Sequence, residues 1–163
     1  MKVSKVKLTN YQVERLFEEF NKKLFIDGIN PKYSYFMFKN SEYLATAFNN
    51  MMMELYDERR DPDYAKMVEE QNKLVIKYAD KDEQANIVRD NQGNPVITEN
   101  IVEFNNENEV LLSKYKDLVS KIESKEQYNH KIRSRDGEYD LITLELNEFP
   151  NSAPPFIVGL LGY

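Results

Sequence analysis

The chain has 163 residues, with Lys plus Arg 22 against Asp plus Glu 28 and a net charge of −6. So acidic a chain is a poor ligand for nucleic acid or for an anionic membrane. The lack of cysteine excludes disulfides, thiolate zinc sites and Cys nucleophiles. With 9 Phe and 11 Tyr there is bulk enough for a core, so one folded domain over 1–163 is expected. No stretch nears the ~20 apolar residues of a membrane span. Residues 1–5 hold no apolar signal core, so neither a membrane partner nor a leader is expected.

Lys2 to Leu8 alternate and predict a short strand or extended lead-in. Thr9 followed by Gln12 three residues on is a capping-box pair. Val13, Leu16, Phe17, Phe20 and Leu24 then form an apolar helical stripe, which Asp27-Gly28 should end. Asn30-Pro31 restarts a helix as cap and first residue. Tyr33, Met37, Asn40, Leu44, Ala47 and Met51 carry it to about Glu58. The run Tyr33 to Phe38 is also compatible with a strand. Residues 2–58 thus form an N-terminal strand and helices.

Asp61-Pro62 either caps a new helix or kinks the old one. Tyr64, Met67, Gln71, Leu74 and Tyr78 form a coiled-coil seam on a charged helix. Residues 86–98, turning at Asp90 to Asn94, predict a β-hairpin. A return helix from Val102 to Ser124 carries a matching seam through Phe104, Asn108, Leu111, Tyr115, Leu118 and Ile122. Residues 62–124 are therefore expected to be a long antiparallel helical hairpin with a β-hairpin tip. From 127 the period changes to two, with Tyr128, His130 and Ile132 on one face. Asp136-Gly137 is a type I′ turn signal, leading into a strand from Glu138 to Leu146. In that hairpin Arg135 would face Glu138, and Arg133 would face Asp140. A rigid Phe149 to Pro155 segment leads to an apolar end. No internal repeat is expected. The fold class is mainly α (α+β), with a small C-terminal β-hairpin in 127–163.

The chemistry-bearing groups favour bland readings. Asp80, Asp82, Asp90, Asn91 and Asn94 surround Gly93, but an EF-hand count back from that glycine puts Val88 and Gln92 at ligand positions. His130 is the one histidine, and no G-x-S-x-G elbow accompanies it. The helical carboxylates at 18–19, 69–70, 103, 107 and 109 lie among polar residues opposite apolar seams. The five glycines form no phosphate-binding pattern. Lys131, Arg133 and Arg135 share a face, but cross-strand acids neutralise them. No catalytic residue, cofactor, metal or nucleic-acid partner is therefore expected, and the chain reads as a non-enzyme. Two groups remain as protein-contact candidates. Met51, Met52 and Met53 cover nearly a full helical circumference, as core or as an adaptable interface. Phe156, Ile157, Val158, Leu160 and Leu161 follow Pro154-Pro155 at a terminus, where polar residues are usual. That tail either docks on its own core or inserts into another subunit.

Several segments together resemble a family of small tailed-bacteriophage proteins that goes by a domain-of-unknown-function label. They are Val6 to Asn10 opening a helix, Ser34-Tyr35 to Lys39-Asn40 opening the next, and Lys77-Tyr78-Ala79-Asp80-Lys81-Asp82-Glu83. Asn91-Gln92-Gly93-Asn94-Pro95-Val96 and Leu146-Asn147-Glu148-Phe149-Pro150 complete the likeness. Residues 85–89 separate the Lys-Asp-Glu and Gly-Asn-Pro-Val halves. The resemblance implies a phage origin and a helical hairpin, and brings no catalytic residues with it. The resulting expectation is a non-catalytic virion or tail-assembly component that contacts itself or another phage or host protein. The alternative is an inhibitor of a host or anti-phage defence protein. The location would be the host cytoplasm or the virion.

Overall fold

A computed structural model describes residues 1–23 and 30–163. Leu24 of the first stripe and the helix end expected at Asp27-Gly28 lie outside the described residues. The order is β1 (Lys2–Thr9), α1 (Asn10–Lys23), α2 (Pro31–Glu54), α3 (Tyr64–Tyr78), α4 (Ile101–Lys114), α5 (Lys116–Arg133), β2 (Asp136–Thr143) and α6 (Pro155–Leu161). Short 3-10 turns occur at Glu58–Arg60 and Leu146–Glu148. The fold is mainly α, of the α+β class. The buried side chains collect in separate clusters, and the chain divides into two compact units. One is Met1–Tyr56 with Gln127–Tyr163, and the other is Asp57–Glu126.

The first, the sheet unit, is built on an antiparallel pair running from Lys2↔Thr143 to Thr9↔Asp136. Leu8 and Leu141 are buried while Val3, Lys5 and Lys7 are exposed, as the alternation of β1 requires. The capping box forms at the head of α1. The Thr9 amide donates to Gln12 Oε1 at 2.8 Å, and the Gln12 amide donates to Thr9 Oγ1 at 3.2 Å. Val13, Leu16 and Phe20 are fully buried. Residues 33–38 are helical, so the strand alternative is excluded. α2 stops at Glu54, short of Glu58, because Leu55 turns extended and the Tyr56 amide donates to Asn129 Oδ1 at 2.8 Å.

The C-terminal β-hairpin does not exist, and β2 pairs with β1. Residues 127–133 belong to α5, whose stripe runs Leu118, Ile122, Lys125, Asn129 and Ile132 at helical spacing. Two polar members hid that stripe. Lys125 ion-pairs with Glu58, and Asn129 Nδ2 donates to the Tyr56 carbonyl at 3.1 Å. Arg133 therefore bonds Glu14, at 2.8 and 3.0 Å, and Arg135 pairs with Glu54. The partners expected for them lie elsewhere: Asp140 sits opposite Lys5, and Glu138 opposite Lys7.

The second, the hairpin unit, holds α3 and α4 packed together, with the start of α5. Antiparallel pairing is fixed by Lys77 Nζ to Glu107 (2.7 Å), Lys114 Nζ to Glu70 (2.7 Å) and Lys121 Nζ to Asp61 (3.2 Å). Met67, Leu111, Tyr115 and Leu118 are buried between them. The return helix is not continuous. It breaks at Tyr115 (φ −107°, ψ 28°) between α4 and α5. Helix α3 begins at Tyr64, because the Asp61 side chain accepts from the Asp63 amide instead of opening the helix at Pro62.

Candidate functional site

The tip between α3 and α4 holds no regular strand, only isolated bridges at Lys81↔Ile87 and Arg89↔Pro95. It is instead a tandem repeat. Lys81-Asp82-Glu83-Gln84-Ala85-Asn86-Ile87-Val88 is followed at once by Arg89-Asp90-Asn91-Gln92-Gly93-Asn94-Pro95-Val96. Both copies fold alike. The Asp82 carboxylate accepts from the amides of Gln84 (2.9 Å) and Asn86 (2.8 Å). Asp90 does the same for Gln92 (2.9 Å) and Asn94 (2.8 Å). The fourth residue after the leading cation takes positive φ in each copy, 64° at Ala85 and 86° at Gly93. The copies close on Asp80 by a ring of main-chain bonds. Val88 donates to Asp80, Asp80 to Val96 and Val96 to Val88, at 2.8, 2.8 and 3.0 Å.

These bonds explain the acids of the tip. Main-chain donors at Asn86 and Asn94 hold Asp82 and Asp90 below the usual carboxylate range, and the Thr98 hydroxyl does so for Asp80. Their oxygens are committed to the loop. Among the described residues no group of three or more His, Asp or Glu side chains is placed to hold a metal ion. His130 is exposed on α5 rather than on a strand, and Ser134 Oγ, 3.5 Å from its Nε2, donates to the His130 carbonyl at 2.8 Å. No described helix is long and apolar enough to cross a membrane.

The protein-contact candidates separate. Met51 is buried with Leu55 and Ile132, Met52 is half-buried against them, and Met53 is 78 % exposed. In the tail, Ile157 and Leu161 are fully buried in the sheet unit's own core, with Phe156 and Leu160 packed against it and Val158 half-buried. The tail is therefore a docked helix, and its two innermost residues are unavailable to a partner. The Leu144 amide donates to the Leu161 carbonyl, and the Tyr163 amide to the Leu144 carbonyl, both at 3.0 Å. Gly162 is required there, since a Cβ would lie 2.5 Å from the Val158 carbonyl oxygen.

The remaining exposed apolar surface escaped the sequence reading. In the hairpin unit Ile76, Val102 and Val110 point away from the seam, with Val102 64 % and Val110 72 % exposed. On α2 of the sheet unit Tyr35, Phe38 and Tyr43 are about half-exposed. Part of the signal was present in the seams themselves: Ile76, two positions from Leu74, and Val102, nine from Leu111, each lie about half a helical turn from a seam residue, where polar side chains are usual. A groove of ≈ 430 Å³ lies between α1 and α6, lined by Tyr11, Gln12, Arg15, Phe156 and Leu160, with the Arg15 guanidinium 3.9 Å from the Phe156 ring centre. The chain matches no protein-family model, no curated protein and no solved structure.

Proposed function

We propose that this chain is a non-catalytic bacteriophage protein that works through protein–protein contacts, as a virion or tail-assembly component. The observation that carries the reading is the outward apolar set of the hairpin unit. Ile76, Val102 and Val110 face solvent from helices whose described core cluster is Met67, Leu111, Tyr115 and Leu118 with their half-buried neighbours. Helices that are apolar on two faces bury one of them against something else. The phage setting rests on the resemblance of the segments from Lys77 to Val96. A second reading, an inhibitor of a host or defence protein, draws on the net charge of −6, which suits a basic target surface.

The test is to follow the chain through gradient-purified virions and tail intermediates with a specific antibody. Co-sedimentation at fixed stoichiometry, lost in a Val102→Lys, Val110→Lys variant that still folds, supports the assembly role. A chain confined to the soluble fraction in a defined complex with one host protein supports inhibition. A free monomer at every stage of infection overturns both.

A further inference from the structure

β1 is an eight-residue edge strand whose outward main chain is unused among the described residues. The Ile142 amide and carbonyl point away from β1, since both are bonded to the Asn40 side chain, at 2.8 and 2.9 Å. Ile142 is opposite Val3. The antiparallel ladder alternates, so Val3, Lys5 and Lys7 turn their N–H and C=O groups to the other edge. None of these groups has a partner among the described residues. At the end of the row the Thr9 amide is already taken by Gln12 Oε1. The far edge of the sheet is closed at Ile142 by Asn40 and at Leu144 by Leu161 and Tyr163.

The side chains along the open edge are selective. Val3, Lys5 and Lys7 are exposed on one face, while Ser4 and Val6 are half-buried on the other. Lys7 is paired with Asp136 at 3.0 Å, and Lys5 has no ion pair among the described residues. β2 already shows what this strand accepts. Its Glu138 and Asp140 lie opposite Lys7 and Lys5, with Tyr139 and Leu141 alternating between them. In the register that pairs all three open residues, a second copy of β1 would set Lys5 against Lys5, which destabilises a cross-strand pair.

We propose that the open edge of β1 receives an extended acidic segment of a partner protein, with Asp or Glu alternating with apolar residues, as a third antiparallel strand. Main-chain bonds at Val3, Lys5 and Lys7 hold it, and Lys5 selects its charge. The inference rests on the protein-contact reading above. The measurement below reads β1 alone, so its failure and a failure to find the chain in virions are separate results.

The probe is a labelled peptide of alternating Glu and Val, as long as β1 itself, titrated into the full chain. Its controls are the same peptide with Lys for Glu, and a version N-methylated on alternate residues that keeps the charge and lacks the donors. The expected result is binding at least about tenfold tighter for the Glu peptide than for either control. Hydrogen-exchange protection should appear at the amides of Val3, Lys5 and Lys7. Lys5→Pro removes only an outward donor, which edge strands tolerate, so it should abolish the complex and leave the melting curve in place. Equal binding of Glu and Lys peptides, undiminished binding of the N-methylated form, or protection elsewhere overturns the proposal. So does self-association of the free chain that protects the same three amides.

Discussion

Single positions in the tip and the sheet unit carry conformational and polar costs that substitutions can reveal. Ala85 and Gly93 hold the same place in the tandem repeat and the same left-handed backbone, but only one is glycine. A Cβ costs about 1 kcal/mol in that region. Ala85→Gly should therefore stabilise the hairpin unit by up to that amount, and Gly93→Ala should destabilise it similarly, read by urea unfolding and by exchange of the tip amides. Both effects act through backbone strain, since nothing lies within 4 Å of a Cβ built at Gly93. Tyr33 is a second such position. Its hydroxyl is buried without a hydrogen-bond partner among the described residues. Burial, aided by Glu19, pushes its pKa from 10.0 up to about 12. The folded state thus binds the proton more tightly than the unfolded chain. Stability from this group is complete below about pH 10 and is lost as pH rises towards 12. Tyr33→Phe should match or exceed the parent at pH 7, by up to about 1 kcal/mol, and weaken the alkaline loss of melting temperature. Tyr139, whose pKa burial also raises, remains in that variant.

At the scale of elements, the local signals that need only one segment were legible. The Thr9–Gln12 box, the Pro31 helix start and the α3–α4 seams all follow from neighbours in sequence. Leu118→Asp would set a charge into that seam, where Leu118 is 4 % exposed, and should cost the hairpin unit at least about 3 kcal/mol in chemical denaturation. Elements that depend on distant partners were not legible. The Asp136-Gly137 pair reads as a turn, but it opens β2, because β1 lies over a hundred residues away and its lysines match the acids of β2. Asn40 shows the same point. On an apolar helical stripe it looks like a seam irregularity, and only the fold makes it the partner of Ile142. Asn40→Ala leaves a buried amide and carbonyl unsatisfied, so it should lower the stability of the sheet unit by about 2–4 kcal/mol while an isosteric apolar change at Met37 costs less. Thermal melts of the two variants check the difference.

At the scale of the molecule, the tail decides whether the sheet unit closes. Burial of Ile157 and Leu161 contributes roughly 1.5–3 kcal/mol each, and the Leu144, Leu161 and Tyr163 main-chain bonds end the open side of β2. Truncation after Ser152 should therefore abolish cooperative melting of the sheet unit, with loss of near-UV dichroism and rapid proteolysis of residues 1–56. An unchanged melt would show that α6 is dispensable. Local sequence was enough for the class of fold, the seam periodicity of α3 and α4 and the caps at Thr9 and Asn30, because helices are coded by neighbours three and four residues apart. It also contained the tandem octapeptide, which is visible only when positions eight apart are compared. Tertiary contacts fixed the pairing of β2 with β1, the two-unit division and the burial of the tail. Each of those is settled by contacts between residues far apart in the chain, and a period of two or a buried polar residue says nothing about which distant partner will satisfy it.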